Sequence, residues 1–257
     1  MSAVRILLFI FLAVAAIMPS TADGQPLAQY KTAAERGQDS EWKAETTVTQ
    51  DEIAAKGLDS FFSIGEISDG VFARMWLKSW KRECPMKRGD LRYLRMLHRN
   101  AYGQSQRGEM VVNKAIAQKV LRIFRKLYDA GYRIERMVLI DNYDADDGAS
   151  MRANNTSAFN FRFMAGSRTR ISKHGRGLAI DINTLYNPYV KKRGNGTWHI
   201  EPACAKAYAF NRERRSDIPY KIDTGDLAYR LFVAEGFKWG GNWRSLKDYQ
   251  HFEIDIK

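Results

Sequence analysis

The sequence predicts an α+β fold: a mainly antiparallel sheet flanked by helices. Three observations predict it. Short apolar runs of strand length recur at 91–97, 110–112, 137–140, 158–163, 178–182 and 249–256. One longer segment, 114–130, instead sets Ile116, Val120, Phe124 and Leu127 at helical spacing. Strands and helices also fail to alternate as βαβ units, the arrangement a parallel sheet requires.

The elements follow in order. Residues 1–22 carry one cation, Arg5, then an apolar run over 6–18, with small residues Ser20 and Ala22 where a signal peptidase reads. That is the pattern of a cleaved secretory signal, and the run is short for a membrane span. The mature chain is therefore expected to be exported, periplasmic or extracellular, without stable insertion in a membrane. Residues 23–60 are expected to form a flexible N-terminal extension, polar and aperiodic to about Thr47. Within it, Thr49 and Glu52 have the spacing of a capping box that opens a short helix. The main domain is expected over 61–257.

In that domain, 71–80 reads as a buried helical turn or two, broken by Cys84-Pro85. The runs at 91–97 and 110–112 read as a β-hairpin whose turn extends from Asn100 to Gly108. The helix over 114–130 ends at Gly131, with Leu121 and Tyr128 beside its apolar face. Residues 137–140 read as a buried strand, 141–156 as a polar loop, and 158–163 and 178–182 as strands. A long loop is expected from Asn183 to about Tyr220, with a basic tip at Lys191-Lys192-Arg193. Thr224 or Asp226 caps a helix that ends at Gly236, and 249–256 is the last strand.

Lys and Arg exceed Asp and Glu by 41 to 29, a formal charge of +12. A basic exported protein suits anionic surfaces such as cell-wall polymers or lipid headgroups. Nucleic acid is not an expected partner, because no recognition motif is present. Oligomeric state is not readable. Cys84 and Cys204 are the two cysteines. They either pair or stay free, and two thiols are too few for a thiolate zinc site.

Four histidines are present: His98, His174, His199 and His251. Two lie in unusual company, in Ser172-Lys173-His174-Gly175-Arg176-Gly177-Leu178-Ala179-Ile180-Asp181 and in Asp248-Tyr249-Gln250-His251-Phe252-Glu253. His174 and Asp181 would face opposite sides of a straight strand, so they can share an ion only if the chain bends between them. Gly175 and Gly177 permit that bend. Asp181 sits between Ile180 and Ile182, where a carboxylate is costly unless a cation or donors compensate it. His251 and Glu253 share a face of the last strand, and Asp248 lies just before it. Two imidazoles and a carboxylate are the protein ligands of a catalytic zinc site, with the fourth position left to water. A further carboxylate can then act as general base.

The two segments together resemble the VanY-like D-alanyl-D-alanine carboxypeptidase family of zinc peptidases. That family includes L-alanyl-D-glutamate endopeptidases and shares a zinc fold with the hedgehog signalling domain. Cys84-Pro85, Gly108-Glu109-Met110, residues 150–162, Asn187-Pro188-Tyr189 and Trp239-Gly240-Gly241 extend the resemblance over about 72–257. The resemblance implies His174, Asp181 and His251 as ligands of one Zn2+ per chain. It implies Asp248 as the catalytic carboxylate, with Glu253 as its rival, and Arg162 as the oxyanion-stabilising arginine, with Arg152 as its competitor. It also implies peptidoglycan stem peptides as substrate, cut at a terminal D-alanine or between L-alanine and D-glutamate. The alternative is a zinc-containing, non-hydrolytic wall-binding module.

Two positions depart from the family pattern: Asn242 where an aspartate is common, and Phe163 where a proline is common. Asp144, Asp146, Asp147 and Gly148 lack the terminal Glu of a calcium loop and read as a solvated acidic turn. Asn154, Asn155, Thr156 and Ser157 are candidates for holding a peptide backbone. His98 and His199 read as structural, and Trp239 and Trp243 as core or groove wall.

Overall fold

The computed structural model describes residues 42–164 and 166–256. The expected signal at 1–22 lies outside the described residues. The helices are α1 Gln50–Lys56, α2 Asp69–Met75, α3 Ala117–Asp129, α4 Asp147–Arg152 and α5 Leu227–Ala234. The strands are β1 Ser63–Gly65, β2 Leu91–Arg99, β3 Ser105–Asn113, β4 Ala179–Asp181, β5 Tyr189–Lys192, β6 Trp198–Glu201, β7 Lys238–Trp239, β8 Lys247–Asp248 and β9 His251–Glu253. The strands form three small antiparallel sheets, ordered β1-β2-β3, β4-β9-β7 and β6-β5-β8. The α+β class holds. No helix among the described residues is long and apolar enough to cross a membrane.

The β2–β3 hairpin with α3 laid across it forms the body. Its register runs from Leu91↔Asn113 to Arg99↔Ser105. Leu94, Met96, Met110 and Val112 of the hairpin bury against Val120, Phe124 and Leu127 of α3. The helix starts three residues later than its periodicity suggests, and Gly131 (φ 70°) ends it. The hairpin turn is much shorter than expected, because 105–109 is polar yet paired. Ser105 shares a hydrogen bond with Tyr128 Oη at 2.7 Å. The buried Glu109 carboxylate accepts from Arg74 at 2.9 and 2.5 Å and from Tyr93 Oη at 2.6 Å. Buried polar side chains survive in a strand when they are satisfied in this way.

α1 follows the expected cap: Thr49 Oγ1 accepts from Glu52 N at 3.1 Å. Val48 and Phe61 on either side of it are buried with Leu97 and Tyr128, so the described part of the N-terminal segment lies on the body. Residues 71–80 include α2, with Val71, Phe72, Met75 and Trp80 buried.

Several expected strands are extended but not laddered. In 137–139 Met137 O accepts from Glu109 N of β3 at 2.9 Å, and beyond it the Asn155 side chain replaces a neighbouring strand: Val138 N donates to its Oδ1 at 3.0 Å and its Nδ2 donates to Val138 O at 3.1 Å, while Ile140 opens a 3-10 turn, Ile140–Tyr143. Residues 158–163 make single contacts with different partners, Phe159 N to Val111 O and Phe161 N to Ser79 O. The loop at 141–156 contains α4, capped by Asp146. The long loop at 183–220 contains the β5–β6 hairpin, so Lys191 and Lys192 lie in a strand. That region is organised by a buried cation, Arg212. It donates to Tyr186 O (2.7 Å), Tyr208 O (2.8 Å) and Asn187 Oδ1 (2.7 Å), and it lies over the Tyr249 ring. Asp226, not Thr224, caps α5, and its side chain accepts from Ala228 N. Phe232 of α5 then joins body to site: it meets Phe124 edge-on at 6.2 Å and stacks on Phe252 of β9 at 4.4 Å. Cys84 and Cys204 are both free thiols.

Candidate metal centre

Asp181 and His251 are direct register partners in the β4–β9 pair. Opposed residues of antiparallel strands point to the same face, so sheet pairing alone brings carboxylate and imidazole together. Phe252 points to the opposite face, where its full burial in the core fixes the strand. His174 opens a short 3-10 turn, His174–Arg176, that leads into β4. The expected bend is there, and the two glycines divide the work. Gly177 takes φ 66°, and a Cβ on it would lie 2.7 Å from Asn113 N. Gly175 supplies space: a Cβ there would lie 2.7 Å from Ile171 Cγ2 and 3.0 Å from Arg162 O.

Three donors converge as a result. His174 Nε2 lies 3.1 Å from His251 Nδ1 and 3.2 Å from Asp181 Oδ2, and His251 Nδ1 lies 2.9 Å from Asp181 Oδ1. Tetrahedral zinc with donors at about 2.0–2.1 Å keeps them about 3.3 Å apart. The two ring nitrogens stand near that spacing, each beside a different oxygen of Asp181, and one donor atom from each residue can be taken with all three within 4.8 Å of one another; two imidazoles and a carboxylate fit the ion. Both rings are oriented from behind. His174 Nδ1 donates to Ala158 O at 2.7 Å, which leaves Nε2 its lone pair. His251 Nε2 donates to Glu253 Oε2 at 3.2 Å, which leaves Nδ1 facing the centre. Glu253, the rival base, is therefore occupied in holding a ligand ring. Trp243 packs its ring 5.4 Å from that of His251.

The electrostatics agree with a cation site. Burial alone would raise Asp181, but the charges of His174 and His251 and hydrogen bonds from both hold it well below the usual carboxylate range. Burial alone would lower His251, but its bonds to Asp181 and Glu253 raise it to about 10. Without metal the cluster thus holds a proton, which a metal ion must displace.

Asp248 lies on β8, opposite Tyr189 of β5. Burial, with the nearby Asp181 charge adding to it, raises its carboxyl to about 7. Its Oδ1 is buried and has no hydrogen-bond partner. Gly240 makes the position possible, since a Cβ there would sit 2.6 Å from Asp248 O. Asn242 is exposed, and its amide reaches Tyr229 Oη at 3.4 Å, so the departure from the family pattern leaves the donor cluster intact.

All four residues line one open cleft of about 730 Å³. Arg162 lines it too, its Nη1 held at 2.5 Å by Asp147, which also accepts from Asn160. Arg152 is not on the cleft wall. Asp147 is therefore a brace for Arg162, which the acidic-turn reading of 144–148 missed. Asn154, Asn155 and Thr156 are not free to hold a peptide: they are buried, and their side chains bind Leu185 N, Val138 and Asn183 N. Ser157 alone of that run faces the cleft. His98 is buried and structural, as expected. His199, expected to be structural, lines the cleft with Tyr189 and Glu201. The signal that could have found it was the short alternation at 198–201, hidden in a region read as loop. Trp239 is core.

Residues 165–254 match the family described as D-alanyl-D-alanine carboxypeptidase. The peptidoglycan L-alanyl-D-glutamate endopeptidase CwlK of Bacillus subtilis (strain 168) is 35% identical over 83 residues. That alignment covers 32% of this chain and 39% of the relative, so the chain spans well under half of the relative's length. No solved structure matches the chain.

Proposed function

We propose, from the match of residues 165–254 to the D-alanyl-D-alanine carboxypeptidase family, that this protein is an exported zinc metallopeptidase that hydrolyses peptidoglycan stem peptides. The observation that carries the reading is the convergence of His174 Nε2, Asp181 and His251 Nδ1, with Asp248 on the wall of the same cleft. The three converging residues would hold one zinc ion per chain. Bound zinc supplies the Lewis acidity that activates water and polarises a peptide carbonyl.

The protein's own residues supply the rest. Asp248 takes a proton from the attacking water and returns it to the departing amine. A carboxyl raised to about 7 suits both steps. Arg162, steadied by Asp147, donates to the developing oxyanion, a contribution of about 3 kcal/mol. Arg162, Arg170 and Arg176 on the cleft wall suit a peptide that carries free carboxylates. The terminal D-alanine bond and the L-alanyl-D-glutamate bond both fall within this reading.

The test pairs zinc analysis of the mature protein with mass spectrometry of a peptidoglycan digest, for wild type and Asp248→Asn. The expected result is about one zinc per chain in both, with kcat about 10²- to 10⁴-fold lower in the variant. Fragment masses then name the bond. Zinc without cleavage of any stem peptide by the wild type would favour a non-hydrolytic wall-binding module. Absence of zinc binding would remove the site.

A further inference from the structure

We infer that the β5–β6 hairpin is a docking surface for the glycan strand from which the stem peptide hangs; the inference rests on the peptidoglycan reading above. β5 lies between β6 and β8, and β8 carries Asp248 opposite Tyr189. One sheet thus ties the hairpin to the candidate catalytic carboxylate. His199 and Glu201 of β6 line the cleft. His199 is held from both sides, by Glu201 at 2.8 Å and by Arg193 at 2.6 Å.

Beside them, Trp198 is 50% exposed. Its ring is braced edge-on by Phe210 at 5.1 Å. A second hollow of about 440 Å³ opens there, with Trp198, Phe210, Ile200 and Ala203 as its apolar wall and Thr197, Arg193 and Lys206 beside them. Successive residues of β6 face opposite sides, so Trp198 and His199 put the hollow and the cleft on either side of this edge strand, with His199 bordering both.

The chemistry of this hollow selects its occupant. A sugar ring has an apolar C–H face and a rim of hydroxyls. The hollow offers an indole face with hydrogen-bonding side chains around it. A lipid surface would call for several apolar side chains at a tip, whereas this tip is Arg193-Gly194-Asn195-Gly196. A stem peptide is joined to its glycan through its amino end. A peptide lying in the cleft therefore carries sugars out at one end, and the hairpin is a cleft wall with an aromatic platform beyond it.

The experiment uses the mature chain as wild type, Trp198→Ala and Trp198→Tyr. Each is assayed on a glycan-free stem peptide and on the same stem borne on glycan strands. Each is also pelleted with glycan strands stripped of peptide. Trp198→Ala is expected to cut the free peptide at the wild-type rate. It should lose about tenfold on the glycan-borne substrate, in KM, and pellet less, with Trp198→Tyr restoring most of the loss. An unchanged melting temperature shows that the variant is folded. Equal KM and equal pelleting for Trp198→Ala and wild type overturn the inference. Pelleting that follows wall teichoic acid and ignores Trp198 also overturns it and points to a purely ionic surface. If the wild type cuts no stem peptide, the peptidase reading fails on its own, and pelleting on stripped glycan still decides the surface.

Discussion

The β2–β3–α3 body and the β4–β9–β7 sheet of the candidate metal centre share one apolar core but are held by different forces. The body has two nine-residue strands and a thirteen-residue helix, with Leu94, Met96, Val112 and Val120 fully buried. Its stability comes from apolar surface removed from water, which is non-directional and tolerates small changes of shape. The site uses strands of two or three residues, too short to stand alone. Its side chains are held by paired polar contacts: His174 between Ala158 and Asp181, His251 between Asp181 and Glu253. A cluster of buried polar atoms costs free energy to assemble. The body supplies the rigid backing, through Phe124, Phe232 and Phe252, against which that cluster can be kept in place.

The largest effect expected in the body tests whether the two regions are separable. Phe124→Ala should cost about 3–5 kcal/mol of stability, read as a shift of the urea midpoint. Zinc affinity of the folded protein should stay near wild type, because the ring of Phe124 reaches that of Phe252 by way of Phe232. A parallel loss of affinity would mean that the body tunes the site as well as supporting it.

The next effect comes from the one histidine inside the body. His98 is buried; Nδ1 bonds Ile134 O at 2.7 Å, and Nε2 has no partner. Burial lowers its pKa to about 4, against an ordinary value of 6.5. Between these values the unfolded chain binds a proton that the folded chain refuses. Stability therefore falls as pH drops from about 6.5 to about 4, by up to about 3 kcal/mol. His98→Gln should flatten that slope in urea titrations at stepped pH. A slope that survives the substitution would assign it to the carboxylates instead.

The same contrast explains what was legible in the sequence. Periodicity revealed α3, the hairpin and the buried face of Phe252, because a period of 3.6 or 2 is written directly in apolar residues. The donor set was legible too, from two short segments containing half of the histidines. Segment 137–140 reads as a strand but ladders only at Met137, because the partner of Val138 is the amide of Asn155, which leaves no trace in the segment's own pattern. Arg212 was missed for a related reason: a cation surrounded by carbonyl groups looks like a surface residue in sequence. The brace between Asp147 and Arg162 joins residues from two elements that a single sequence cannot bring together. Irregular regions held by side-chain amides and buried cations carry no period.

The smallest effect is the sharpest test of how the site is held. Glu253 accepts a hydrogen bond from His251 Nε2, which keeps the carboxylate ionised and below its ordinary pKa. If its task is to orient that ring and hold its Nδ1 lone pair toward the centre, Glu253→Gln should weaken zinc binding about 10- to 100-fold. Stability of the metal-free protein should change little, the reverse of Phe124→Ala. The His251 pKa in metal-free protein, followed by NMR, should fall from about 10, because a neutral amide no longer favours the imidazolium. With saturating zinc, peptide cleavage should recover most of its rate. If zinc binding is intact while cleavage is lost at saturation, Glu253 takes over the proton transfer assigned to Asp248, and the site has its base on β9 rather than β8.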